Sequence, residues 1–192
     1  MATGKHNVSP FLVAAACFWL ISGSGCKSGT RESDVGGSAM KIDVSSADFK
    51  EGETIPVPYT ADGKNISPAL RWTAAPDATK SFALMCDDPD APRKTWVHWV
   101  IFNIPASSQE LPEAVPTKET LADGARQGKN DFGKIGYGGP SPPPGKPHRY
   151  YFKLYALDIA LDLPAGSTKD KLLGVMKGHV LAEGQLMGRY GR

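Results

Sequence analysis

Trp96-Val97-His98-Trp99-Val100-Ile101-Phe102-Asn103-Ile104 is the stretch from which the fold can be read. In an extended chain successive side chains point to opposite faces, so Trp96, His98, Val100, Phe102 and Ile104 share one face and Val97, Trp99, Ile101 and Asn103 the other. Both faces are largely apolar, which makes this a central strand covered on both sides and starts His98 in buried surroundings. Short apolar runs recur around it: residues 40–44, 54–59, 70–72, 81–86 and 149–157 are further strand candidates. Turn signals separate them, at Ala61-Asp62-Gly63-Lys64-Asn65, Ala75-Pro76-Asp77 and Ser107-Ser108. In 149–157, Arg149, Tyr151, Lys153 and Tyr155 lie on one face and Tyr150, Phe152, Leu154 and Ala156 on the other, with His148 leading in on the second. The expected fold is mainly β, an antiparallel β-sandwich with a C-terminal helix.

That helix is read from Ser167 as N-cap, through Asp170 in the first turn and Leu172, Leu173, Val175 and Met176, to Gly178 as terminator. Gly174 inside it costs about 1 kcal/mol relative to alanine. Beyond Gly178, Gly184 and Gly188 interrupt any helical stripe, so residues 179–190 are expected to form a last strand.

The chain of 192 residues holds one well-cored domain plus an appendage. Lys5 and His6, the apolar run from Phe11 to Ile21 and the small residues before Cys26 make residues 1–26 a secretory signal, too short in its apolar part to span a bilayer. Cys26 behind small residues resembles the bacterial lipoprotein processing site, where the cysteine is lipidated and becomes the new N-terminus. Residues 27–39 are polar, rich in Gly and Ser and without periodicity, a flexible tether, and residues 40–192 are the domain. The expected location is therefore the periplasm or cell envelope, on a lipid anchor. Lys and Arg number 22 against 20 Asp and Glu, so there is no basic field for nucleic acid and none to hold the protein on an anionic membrane without a lipid. Within the domain Cys86 is alone and forms no internal disulfide.

Two proline-stiffened segments each deliver a histidine. Asp88-Pro89-Asp90-Ala91-Pro92 has a nearly predetermined backbone and precedes His98; Gly138-Gly139-Pro140-Ser141-Pro142-Pro143-Pro144-Gly145-Lys146-Pro147 leads into His148-Arg149-Tyr150. Taken singly, the first is an ordinary Asp-Pro turn and His98 a satisfied core histidine, whereas His148 stands where a loop meets a strand, a common place for binding groups. His179 reads as a histidine at a helix C-terminus, interacting with the dipole. Brought together, the two segments form a small rigid site with two imidazoles and a carboxylate.

These motifs, the Trp96-Val97-His98-Trp99 strand included, resemble the signature of the phosphatidylethanolamine-binding proteins, also called the Raf kinase inhibitor protein family. Asn65-Ile66-Ser67-Pro68-Ala69-Leu70-Arg71-Trp72, Asn130-Asp131-Phe132-Gly133-Lys134-Ile135-Gly136-Tyr137-Gly138-Gly139-Pro140 and Arg189-Tyr190-Gly191-Arg192 match its bacterial branch, and the resemblance covers about residues 40–192. It implies a β-sandwich with a surface anion pocket made by Asp88, Asp90, Ala91, His98, Tyr137, Gly138, Pro142, His148 and Tyr150. It implies no cofactor and no metal; its ligands would be phosphate-bearing small molecules or lipid head groups, and its protein partners a kinase or a protease. Chemically, two imidazoles can donate to a phosphate, a nearby carboxylate favours the imidazolium, and an aspartate can orient a histidine or meet an ammonium. Gly138 and Gly139 would let backbone N–H groups approach the ligand.

Two other functions compete. Two histidines and two aspartates can bind a divalent metal and support a hydrolase, although there is no His-Glu-x-x-His run and Ser141 is not in a Gly-x-Ser-x-Gly elbow. A protein-interaction module with a vestigial pocket would use the long polar segment 105–130, with Pro105, Pro112, Pro116, Glu110, Glu113 and Glu119, otherwise a solvated connection.

Overall fold

The structure, a computed structural model, describes residues 40–192; the signal, Cys26 and the tether lie outside the described residues. The elements in chain order are β1 (Met40–Lys41), β2 (Val44–Ser45), a 3-10 turn (Val57–Tyr59), β3 (Leu70–Trp72), β4 (Ser81–Asp88), β5 (Trp96–Pro105), β6 (Glu110–Leu111), β7 (Arg126–Gln127), β8 (His148–Leu157), α1 (Lys169–Met176) and β9 (Val180–Tyr190). Six strands form one sheet in the order β1-β9-β8-β4-β5-β7, and β2-β3-β6 form a second. All pairs are antiparallel except β1 with β9, which is parallel.

The central strands carry two cores, as the apolar run of β5 requires. Phe82, Leu84 and Cys86 of β4 join Trp99, Ile101, Tyr150 and Phe152 in the core beneath the small sheet, with Leu70, Trp72 and Leu111 from its inner face. Ala83 and Met85 face the other way, onto Val100, Phe102, Leu161 and the Leu172 and Met176 of α1. Each fully buried Leu, Phe or Met side chain contributes about 1.5–3 kcal/mol of transfer free energy.

Alternation along β5 fails at two places. Cys86 pairs with Trp99 and Asp87 with Val97, leaving His98 as an extra residue; Phe82 pairs with Ile104 and Leu84 with Ile101, leaving another near Asn103, whose φ is +54°. These bulges correct the expected faces. Val100 and Phe102 go to the helix-side core, whereas His98 turns with Trp99 toward Tyr150.

Several expectations at the edges also change. Residues 54–59 are not a strand: only Thr54 bridges to Arg189, and Pro56 and Pro58 lack the N–H groups a ladder needs. Residues 40–44 split into β1 and β2 because the chain passes from one sheet to the other. Strand β4 runs on through Asp87, whose charge is met at its Oδ2 by Lys153 Nζ at 3.2 Å and Lys169 Nζ at 2.7 Å. The N-cap of α1 is Thr168, whereas Ser167 Oγ donates to the Pro164 carbonyl at 2.7 Å. His179 is held by its ring, Nδ1 to Asp158 Oδ1 at 2.9 Å, beyond the left-handed Gly178 that ends the helix. The last strand forms as expected. Segment 105–130 is more than a solvated connection: it supplies β6 and β7 and buries Leu111, Val115, Ala125 and Gln127.

Candidate functional site

Strands β4, β5 and β8 end side by side, and their register brings the two proline-rich segments together: Asp88 opposite Trp96, and Asp87 opposite Tyr151. A cavity of about 210 Å³ opens there, lined by Asp88, His98, His148, Trp96 and Phe132 together with Ala91, Pro92, Ser141, Pro142 and Pro143. Other depressions are larger, such as one of about 450 Å³ at Lys41, Lys153, Tyr155 and Glu183, but that one holds no histidine, whereas this cavity joins two imidazoles.

Each imidazole is fixed through the same ring atom. His98 is buried, and its Nδ1 lies 2.6 Å from the Gly138 carbonyl oxygen. A carbonyl only accepts, so Nδ1 carries the proton and Nε2 is the nitrogen left for the cavity. Burial, which disfavours the charged ring, holds the His98 pKa below the ordinary histidine value. His148 Nδ1 lies 2.8 Å from Asp88 Oδ2, so a carboxylate orients it and again Nε2 remains. The rim is held too. Ala61 N–H donates to the Pro140 carbonyl at 2.9 Å, and Arg192, paired with Asp62, donates from Nη1 to the Pro142 carbonyl at 3.2 Å.

Of the expected residues, Asp88, Ala91, His98, Pro142 and His148 meet at the cavity. Asp90 does not: its carboxylate accepts from Arg149 Nε at 2.9 Å, Arg149 Nη2 at 2.7 Å and the Arg149 backbone N–H, and the guanidinium holds its pKa at about 2. Tyr137 lies beneath the site, its hydroxyl donating to the Tyr59 carbonyl at 2.8 Å. Tyr150 is fully buried and supports His98 edge-on at 5.1 Å between centroids; its hydroxyl is beside Asp88 but outside hydrogen-bonding geometry, and burial raises its pKa. Gly138 contributes its carbonyl to His98, and neither glycine offers a free N–H: that of Gly138 donates to the His98 carbonyl and that of Gly139 to Asn65 Oδ1 at 2.7 Å. These glycines serve close packing instead. A Cβ on Gly139 would stand 2.6 Å from the Tyr59 carbonyl oxygen, and one on Gly138 2.8 Å from the Phe132 ring.

Five lining residues were not among the pocket residues expected from the sequence: Pro92, Trp96, Phe132, Ser141 and Pro143. Phe132 is the main one, packing edge-on against both Trp96 and His98, with centroids 5.4 and 5.3 Å away. An aromatic residue between the turn formers Asn130-Asp131 and Gly133 was the available signal.

Two packed sheets with this histidine pair at the end of the central strands define the class: the chain belongs to the phosphatidylethanolamine-binding protein family, whose family model matches residues 45–191. Among its relatives, a UPF0098 protein of Methanothermobacter thermautotrophicus is 56% identical over 144 residues, 75% of this chain and 95% of the relative. A solved structure of Escherichia coli YbcL, described as a member of the mammalian family, is similar with a TM-score of 0.74 and 35% identity, covering 79% of this chain and 99% of that one. The Chlamydia trachomatis homologue CT736 gives 0.73 and 38%, covering 80% and 99%.

Proposed function

We propose that the protein is a non-enzymatic binding protein whose histidine cavity takes phosphate-bearing groups, phospholipid head groups or phosphorylated ligands. One observation carries this reading: both imidazoles are bound through Nδ1, so two Nε2 atoms are left for a single small cavity. A neutral Nε2 accepts, so an anion needs a proton at each contact, either on the ring or on a phosphate oxygen. Burial disfavours the charged His98 ring in the free protein, and by linkage a ligand that needs the proton draws it in. Affinity should therefore fall as pH rises. The stiff rim limits the ordering cost of binding.

The hydrolase alternative would draw its metal ligands from the two histidines and two aspartates. Asp90 is committed to Arg149 and Asp88 to His148, and among the described residues no three His, Cys, Asp or Glu side chains are grouped as a metal site would require. The reading includes export and a lipid anchor at Cys26, and a regulatory role toward a kinase or protease as the family suggests.

Titration calorimetry with inorganic phosphate at pH 6 and pH 8, in buffers of different ionisation enthalpy and with and without a chelator, tests it. Expected are tighter binding at pH 6, net proton uptake, indifference to the chelator and loss of binding in His148→Ala. Binding that requires a metal, or no binding of phosphate at either pH, would sink the proposal.

A further inference from the structure

The histidine cavity has a neighbour. A second compartment of about 200 Å³ adjoins it, and Phe132 and Ser141 line both. Gly138 and Gly139 line it as well. Its polar side chains are Lys134, Asn65 and Ser141, with Asn130 and Tyr137 already engaged by the Gly136 and Tyr59 carbonyls; no acidic side chain lines it.

Two details give this compartment a sign. Lys134 makes no ion pair among the described residues, unlike Lys94, Lys153 and Lys169, which each meet a carboxylate. Asn65 accepts the Gly139 N–H at Oδ1, at 2.7 Å, so the group it has left to offer is its NH₂, a donor. A cation, an amide donor and a hydroxyl without a competing carboxylate suit an anionic or acceptor group.

The compartment is also built in advance. Asn130, 4% exposed, accepts at Oδ1 from the N–H groups of Phe132 at 3.1 Å and Lys134 at 3.0 Å, and donates from Nδ2 to the Gly136 carbonyl at 2.9 Å. One buried amide thus fixes the backbone of both the dividing ring and the cation.

We propose that the two compartments take one ligand: a phosphomonoester bearing a second anionic group a few bonds away, its phosphate between His98 and His148 and its second anion on Lys134 and Asn65. This rests on the histidine cavity being a phosphate site and adds what selects among phosphate esters. A zwitterionic ester such as phosphoethanolamine would place an ammonium beside Lys134 and bind less well than its anionic counterpart. Lys134 and Asn65 are thereby the specificity-determining residues, and Phe132 sets the span between the two charges.

The matched pair 3-phosphoglycerate and glycerol 3-phosphate differ only in a carboxylate against a hydroxymethyl group. Calorimetry on the full chain at pH 6 should find 3-phosphoglycerate bound about three- to tenfold more tightly, the scale of one charge-assisted contact at a partly exposed site. Lys134→Gln should abolish the difference, and a urea unfolding transition matching that of the wild type reports that the variant is folded. Lys134→Glu should reverse the order, so that phosphoethanolamine binds better than 3-phosphoglycerate. Equal affinities for the pair, or a preference that survives in Lys134→Gln, overturn the second compartment while leaving the phosphate site standing. Failure of both esters and of inorganic phosphate to bind the wild type removes the phosphate site and this inference with it.

Discussion

Gly138 and Gly139 are adjacent, yet a methyl group on each should do opposite things. At Gly139 the added Cβ would lie 2.6 Å from the Tyr59 carbonyl oxygen and 2.8 Å from both the Thr60 carbonyl carbon and Asn65 Oδ1. None of these can retreat cheaply: the Tyr59 carbonyl accepts the Tyr137 hydroxyl at 2.8 Å, and Asn65 Oδ1 holds the Gly139 N–H itself. Relief must shift backbone, at about 1–3 kcal/mol for overpacking, and loosen one or two hydrogen bonds of about 0.5–1.5 kcal/mol each. Gly139→Ala should therefore lower unfolding stability by about 2–4 kcal/mol. At Gly138 the nearest atoms belong to the Phe132 side chain, at 2.8 and 3.0 Å, and that ring is 41% exposed and can swing outward. Gly138→Ala should cost less than about 1 kcal/mol of stability. Its effect should appear in binding, as a roughly two- to tenfold loss of phosphate affinity when the aromatic wall leaves His98. Urea denaturation followed by tryptophan fluorescence, paired with phosphate calorimetry, measures both. A Gly139→Ala protein within about 0.5 kcal/mol of wild type would refute the packing argument. Equal stability losses in the two variants would refute the distinction between backbone and side-chain neighbours.

Further tests follow from the titrating groups. His98 has a folded-state pKa below its unfolded value of about 6.5, so the unfolded chain takes up the proton first. Stability should be complete above that pH and fall on acidification until the folded-state pKa is passed, by at most about 1.4 kcal/mol per pH unit; denaturation midpoints that rise between pH 7 and pH 5 would contradict it. Asp90, with a pKa of about 2 set chiefly by Arg149, should contribute stability above pH 4 that is lost between about pH 4 and pH 2. Asp90→Asn should remove that acid step and leave phosphate affinity within about twofold of wild type, because the carboxylate faces Arg149; a tenfold loss would return Asp90 to the binding site. Cys86 is fully buried, and burial followed by the charges of Asp87 and Asp88 raises its thiol pKa, so peptide mapping after iodoacetamide should find it unmodified in native protein and modified in urea.

The central strand and the two proline-rich segments were legible because their signals are local: an apolar run on both faces, and prolines that fix φ. The side of the sheet on which His98 falls was not legible. Alternation gives parity only while no residue is inserted, and the bulges at His98 and Asn103 are defined by pairing with β4, which lies elsewhere in the chain. The direction in which Asp90 turns was not legible for a related reason. Its partner Arg149 is 59 residues away, and nothing in Asp88-Pro89-Asp90 distinguishes the aspartate that turns to a histidine from the one that turns to an arginine. Tyr137, Tyr150, Gly138 and Gly139 stand near the site but act behind it, supporting the rings and allowing close packing. The false strand at 54–59 was avoidable, since Pro56 and Pro58 already argued against a ladder there.

A two-bond proton–nitrogen NMR spectrum of the histidine rings, recorded at pH 6 with and without saturating phosphate, tests the account most directly. The Nε2 resonances of His98 and His148 should move together while His98 Nδ1 stays protonated on the Gly138 carbonyl and the His179 ring, held by Asp158, stays where it was. Nε2 resonances of His98 and His148 that do not respond, or that respond no more than those of His179, would contradict it.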